Sequence, residues 1–191
     1  MGGGYVSNAG TFLIQTIFGL IMLVFMLRFL MQLVRADFYN PVSQFIVKVT
    51  NPVLVPMRRF IPGLFGIDMA SVVTLILLQM AELFLVALVL GHMPQPMGLV
   101  VLSMAELLDL LINIYIFGIL IQVILSWVNP GAYNPAVSIL YSINNPLLYR
   151  ARNLLPPVSG FDLSPILVMI GLQLISMLVV APITDFGRSM F

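Results

Sequence analysis

The chain has 191 residues, of which 61% are apolar and 8% charged, with eight Lys and Arg against seven Asp and Glu and a formal net charge of +1. A soluble globular domain carries roughly 25% charged residues, so this chain has too little polar surface to face water and lipid must be its solvent. It has no cysteine and a single histidine, His92, which excludes disulfides, thiolate chemistry and a histidine-based zinc centre.

The first apolar run covers 11–33, with an uncharged core from Ile17 to Leu27, and about twenty such residues cross a bilayer. No positive charge precedes it, and Val6 stands where N-myristoylation needs Ser or Thr. It is therefore expected to be a retained span and not a signal peptide. Arg28, in its last turns, reads as a snorkelling side chain at the interface, the alternative being a partner for a buried acid.

A more polar block follows, its amphipathic part covering 38–62. Asn40 before Pro41 reads as an N-cap with proline at the first helical position, where its missing N–H costs nothing. Val42, Phe45, Ile46, Val49 and Val53 then share one face, while Ser43, Gln44 and Lys48 lie on the other. This predicts a short amphipathic helix in the membrane interface. Asn51-Pro52 repeats the device and is expected to restart the chain in a new direction. Arg58, Arg59 and Pro62 close that second piece, and Gly63 and Gly66 mark turns.

The second span is placed at 69–91 and contains Gln79 and Glu82. The turn that follows, through Pro96, carries no Lys or Arg. The third span is placed at 103–128, with a start as early as Met97, and Ser103-x-x-Glu106 fits a capping box. A second block, 132–157, repeats the plan. Asn134-Pro135 starts a helix with Ala136, Ile139, Leu140, Ile143 and Leu147 on its apolar face, Asn145-Pro146 restarts it, and Arg150 and Arg152 end it. The fourth span is placed at 163–183, followed by a short tail from Thr184. Residues 1–96 and 97–191 thus form two units.

These units are copies. Tyr39-Asn40-Pro41, Asn51-Pro52, Arg58, Pro62, Gly66-x-Asp68 and Gln79 recur as Tyr133-Asn134-Pro135, Asn145-Pro146, Arg152, Pro156, Gly160-x-Asp162 and Gln173, every pair 94 residues apart without a gap. Such fixed-period identity marks an internal duplication. The doubled block resembles the YGGT repeat of the YggT family of small integral membrane proteins, and the resemblance covers nearly the whole chain. It implies a role in envelope or osmotic homeostasis: bacterial members are linked to osmotic-stress tolerance, and plastid relatives to organelle division and assembly of a membrane cytochrome complex.

Arg35, Lys48, Arg58, Arg59, Arg150 and Arg152 lie in the blocks, Arg28 leads into the first, and only Arg188 lies elsewhere. The positive-inside rule then puts both blocks in the cytoplasm and both termini across a bacterial inner membrane. Two crossings per repeat make the repeats parallel, about an axis along the membrane normal. Each amphipathic piece, about eleven residues or roughly 16 Å, is expected to be too short to cross.

Glu106, Asp109 and Asn113 share one face of the third span, and Glu82 lies inside the second. Ionisable groups in spans are costly and point by default to function. The functional reading is a cation or proton path with Glu82 deep and Glu106 and Asp109 at its mouth. The competing reading puts Glu106 and Asp109 in the first helical turns near the headgroups, where the helix dipole favours them. The counterpart of Glu82 is Ser176, so the acid is outside the shared plan. Gln79 and Gln173 belong to it and are expected to bond neighbouring helices and glue the repeats together.

Arg58 and Arg152 pair naturally with Asp68 and Asp162, within or across repeats, as structural pairs that also bind anionic lipid or a cytoplasmic partner. The Asn-Pro pairs read as backbone devices. The alternative is a re-entrant pore, which needs the blocks buried in protein. Trp127 and Tyr133 sit where an aromatic belt belongs. No nucleophile–base pair, metal cluster or phosphate loop is visible, so no enzyme, cofactor, metal or nucleic-acid partner is expected. The expectation is an all-α membrane protein of four spans in two parallel repeats, each with an amphipathic pair of short helices. It is expected to act as a structural or assembly factor that binds lipid, other membrane proteins or a second copy through its blocks. The alternative is a small oligomeric ion channel or transporter.

Overall fold

The computed structural model describes residues 3–129, 131, 134–155 and 162–191. Tyr133, Pro156 and Gly160 of the repeated pattern lie outside the described residues. The fold is all-helical: α1 Gly3–Leu33, α2 Pro41–Phe60, α3 Met69–Leu90, α4 Pro96–Val128, α5 Pro135–Leu154, α6 Ser164–Ile175 and α7 Ala181–Ser189, the last two joined without a break by a π-helical turn, Ser176–Val180. Four stretches, Gly4–Leu33, Met69–Leu90, Pro96–Val128 and Ser164–Ser189, are long and apolar enough to cross a membrane. The shortest has 22 residues, about 33 Å at 1.5 Å per residue, against a hydrocarbon core of roughly 30 Å.

Each repeat is an antiparallel pair of spans with its block at one end. Arg58 of α2 bonds both Gln32 near the end of α1 and Asp68 just before α3. Those two span ends are thereby tied together. At the opposite end a Cβ on Gly10 would touch Val89. In the second repeat, Gly98 near the start of α4 lies against Met190 beyond the end of α7, and Gly187 against Leu102. Small residues permit this close approach of helices in lipid. A tight turn at Gly91 joins the repeats. Its φ of 83°, with Gly91 N–H donating to Leu88 and His92 N–H to Ala87, makes it the left-handed cap that a glycine accepts without strain. Both blocks therefore lie at the same end, where Asn40 Nδ2 donates to the Pro135 carbonyl at 2.7 Å.

The main core sits beneath the blocks. Met22, Phe25, Met26, Leu30 and Met31 of α1 pack with Ile46 and Leu54 of α2, Leu75 of α3, Leu107 of α4, and Ile139 and Ile143 of α5. A smaller cluster joins Ala105 and Ile112 of α4 to Val180.

Several expected boundaries change. Asn51-Pro52 and Asn145-Pro146 do not restart the chain. α2 runs 20 residues through Pro52 and Pro56, and α5 runs 20 through Pro146. An interior proline removes one backbone bond, and Pro52 and Pro56 lie on the exposed flank of α2. At about 30 Å, α2 is no longer too short to cross, so its length excludes nothing; Lys48, Arg58 and Arg59 set it apart from the four apolar stretches. It has three stripes: Ser43, Ile46, Thr50 and Leu54 are buried, Phe45, Val49 and Val53 are exposed and apolar, and Gln44 and Lys48 are exposed and polar. Ser43, expected on the outer face, is buried and donates to the Asp37 carbonyl. The exposed stripes leave α2 outside the protein interior that a re-entrant pore requires.

Ser103 is no cap: it is buried in α4 and its Oγ donates to the Leu99 carbonyl. The tail from Thr184 continues the fourth span as helix to Ser189. Pro182 accounts for the π-turn before it. A proline ring clashes with the carbonyl four residues back, and widening the turn, with Ala181 N–H donating five back to Ser176, relieves that. The matching position in the first repeat is Leu88, within regular α3.

Candidate functional site: a carboxylate cleft between the spans

The acids that sequence spacing singles out converge. α3 presents Gln79 and Glu82, three residues apart and both buried at 3% and 8% exposure. α4 presents Glu106, Asp109 and Asn113 on one half-buried face. The Gln79 amide nitrogen donates to Glu82 Oε2 at 3.1 Å and to Glu106 Oε2 at 2.7 Å. One neutral side chain thus uses both its N–H groups to hold carboxylates from two helices. Asp109 is fixed at both oxygens: Asn113 Nδ2 donates to one at 2.8 Å and Ser176 Oγ to the other at 2.9 Å.

These groups line a cleft of about 600 Å³ bounded by all four spans, with Gly19 and Met22 of α1 on one side and Ser176, Val180, Thr184, Asp185 and Arg188 on another. It lies in the half of the bundle away from α2 and α5. Among the described residues, four carboxylates, those of Glu82, Glu106, Asp109 and Asp185, line it with one guanidinium, that of Arg188. Among the described residues no group of acids is arranged to chelate a metal ion. The arrangement suits a cation held by oriented carboxylates and amide oxygens across open space.

The expected placement of Glu106 and Asp109 in the first turns of a helix fails. α4 starts at Pro96 and has no acid in its first turn, so both lie well inside the span. Of the two glutamines expected to bond neighbouring helices and glue the repeats, Gln79 bridges α3 to α4, whereas Gln173 is exposed on α6. Ser176 enters the site although the sequence marks it only as the counterpart of Glu82, and Thr184, Asp185 and Arg188 join it without any motif to announce them. Their spacing of four, five and eight residues after Val180 follows one helical face, a signal that ending the fourth span at residue 183 hides.

The block residues form separate structures. Asn40 Oδ1 accepts from Val42 N–H, and Asn134 Oδ1 from Val137 N–H, each at 2.9 Å, so both Asn-Pro pairs at Pro41 and Pro135 open helices. Asn51 is half-buried and Asn145 exposed, both inside their helices. The ion pairs form within repeats, Arg58–Asp68 at 2.6 Å and Arg152–Asp162 at 2.8 Å. Burial pushes the Asp68 carboxyl up, but bonds from Arg58 and Ser71 outweigh it and hold the group below the usual carboxylate range. Asp162 has the same balance, with Ser164 and Arg152 as donors, and is likewise lowered. Trp127 is 80% exposed at the end of α4.

A family model described as CCB3/YggT matches this chain twice, over residues 7–89 and 101–183. An uncharacterized protein of Pseudomonas aeruginosa is 45% identical over 177 residues, 92% of this chain and 90% of that one. An uncharacterized protein encoded in the proC 3' region of Vibrio alginolyticus is 38% identical, covering 87% and 90%. The uncharacterized protein YggT of Escherichia coli is 38% identical, covering 89% and 88%. No solved structure matches. The two family matches are offset by the same 94 residues as the sequence repeat, and the chain belongs to the CCB3/YggT family as a four-span protein with two copies of its repeat.

Proposed function

We propose that this YggT-family protein binds a small cation inside the membrane at the carboxylate cleft and acts as a cation channel or transporter subunit. One observation carries the reading: Gln79 holds Glu82 and Glu106 from two different spans toward the same space. Acids within spans are retained at a cost, and here they are oriented by neutral donors, with Arg188 as the one cation lining the cleft among the described residues. The positive-inside rule supports a cleft opening away from the cytoplasm, with both blocks cytoplasmic in a bacterial inner membrane. Four spans enclose little lumen, which favours an oligomer. Cation movement would also suit the osmotic role that the family resemblance implies. No enzymatic step is part of this reading.

The test is flux of H⁺, Na⁺ and K⁺ into proteoliposomes holding the wild-type protein or Glu82→Gln. Flux above empty vesicles, lost in the variant, is expected; no flux, or equal flux in both, ends the transport reading.

A second reading, a structural or assembly factor, rests on the exposed stripe of Phe45, Val49 and Val53 beside the polar flank of α2. That surface suits lipid or a membrane partner. Partners captured by the wild type and lost on replacing Arg58 and Arg152 would support it.

A further inference from the structure

We propose that the first repeat carries a binding site for a phosphate group, on inorganic phosphate or a phosphate ester, between Arg28 and the polar flank of α2. Arg28 lies in the last turns of α1 and is 7% exposed. Its Nε and Nη1 are buried and have no hydrogen-bond partner among the described residues. The guanidinium carbon stands 4.8 Å from the centre of the Phe38 ring, which positions the group by cation–π attraction but supplies no acceptor. The ion pairs among the described residues are Arg58–Asp68 and Arg152–Asp162, so no carboxylate makes a contact pair with Arg28, although Asp68 is near enough to act on its charge. Asp68 is engaged by Arg58 and Ser71, and Asp37 accepts from the Tyr39 N–H. A guanidinium cannot shed its charge to escape this position.

Arg28 forms a wall of a cavity of about 470 Å³ whose other walls are Phe38, Gln44, Val47, Lys48 and Asn51. Among the described residues two cations and two amides line it, and no acid does. A planar fork of donors beside an ammonium is the chemistry that recognises phosphate oxygens.

The second repeat supplies an internal control. The position of Arg28 is taken there by Gln122, whose Oε1 accepts from Asn144 Nδ2 at 3.0 Å. The position of Lys48 is taken by Ser142, whose hydroxyl donates to the Ser138 carbonyl. The residue matching Asn144 is Thr50, and its hydroxyl is turned to the Ile46 carbonyl. The same place in the fold is thus neutral in one half, where Gln122 and Asn144 bond each other and Asn144 Oδ1 alone is left over, and cationic in the other, with two guanidinium nitrogens unpartnered. The scaffold does not require an arginine there; the missing acceptor comes from outside the chain.

The test uses the full chain. In detergent, thermal unfolding is followed with inorganic phosphate against chloride at matched ionic strength. In nanodiscs without phosphate buffer, phosphatidylcholine alone is compared with phosphatidylcholine plus phosphatidylglycerol. Arg28→Gln installs the second repeat's residue, and Lys48→Gln removes an exposed charge without disturbing the core. The wild type is expected to gain thermal stability in at least one arm. The gain should vanish in Arg28→Gln and shrink in Lys48→Gln, with apparent affinity falling about tenfold for each charge-assisted bond lost. Protection in detergent assigns a soluble phosphate-type ligand, and protection in the nanodisc arm alone assigns a lipid headgroup. No gain in either arm, or an equal gain in wild type and both variants, overturns the proposal. Should Arg28→Gln fail to fold, Lys48→Gln decides it.

Discussion

Gln79→Leu and Gln173→Leu are the same chemical change at equivalent positions of the two repeats, and the structure gives them opposite outcomes. Gln79 is 3% exposed and donates to two carboxylates, at 3.1 and 2.7 Å. Replacing it leaves Glu82, itself 8% exposed, without its donor. Hydrogen bonds to charged groups contribute about 1.5–3 kcal/mol each in aqueous proteins, while interhelical bonds in bilayers average about 0.6 kcal/mol. Two bonds to carboxylates, one buried and one half-buried, place the cost of Gln79→Leu between those limits, about 2–4 kcal/mol. Gln173 is exposed on α6, and replacing it with leucine should change stability by less than about 0.5 kcal/mol. For a chain of this size about 1 kcal/mol moves the midpoint by roughly 2–4 °C. Gln79→Leu should therefore lower the thermal midpoint in detergent by about 4–16 °C and Gln173→Leu leave it nearly unmoved. Equal shifts would refute the reasoning, because they would mean that the polar bridge at Gln79 contributes nothing beyond what an exposed glutamine does.

Two further outcomes follow from the geometry. Because the folded Asp68 carboxyl is held below its ordinary value, it contributes stability above about pH 4 that is lost as the pH falls through its folded-state value; Asp68→Asn should cost about 1–3 kcal/mol at neutral pH and flatten the acid limb of a midpoint-versus-pH series. A Cβ on Gly98 would meet the Met190 carbonyl oxygen at 2.6 Å and the Phe191 nitrogen at 2.8 Å. Gly98→Ala should therefore destabilise by about 1–3 kcal/mol, whereas Gly171→Ala, with nothing within 4 Å of the new atom, should be neutral or slightly stabilising in the same unfolding assay.

The parts of the fold legible in the sequence rest on strong, redundant signals. The ungapped repeat set the two-unit architecture, and uninterrupted apolar length set the four spans. Asn40 and Asn134 cap their helices because Asn-Pro carries its own local geometry. The errors arose where a local rule met tertiary context. Asn51-Pro52 has the same dipeptide as Asn40-Pro41, yet the packing of Ile46, Thr50 and Leu54 on one stripe carries α2 straight through it. Ser103-x-x-Glu106 satisfies a capping pattern, but Pro96 starts the helix earlier and the serine bonds backward within it. At the site, helical spacing placed Glu106, Asp109 and Asn113 on one face. Nothing in one dimension shows that Gln79 reaches across to α4 while Gln173 turns outward, because that depends on which helices become neighbours.

The turn at Ser176–Val180 inserts, in effect, one extra residue into the circumference of the last span. Everything beyond it is rotated by roughly 100° relative to an unbroken α-helix. That phase offset is what lets one helix present Ser176 to Asp109 at its middle and Arg188 to the same cleft near its end. Deleting one residue there, between Ser176 and Val180, would keep every side chain that lines the cleft and swing Arg188 out of it.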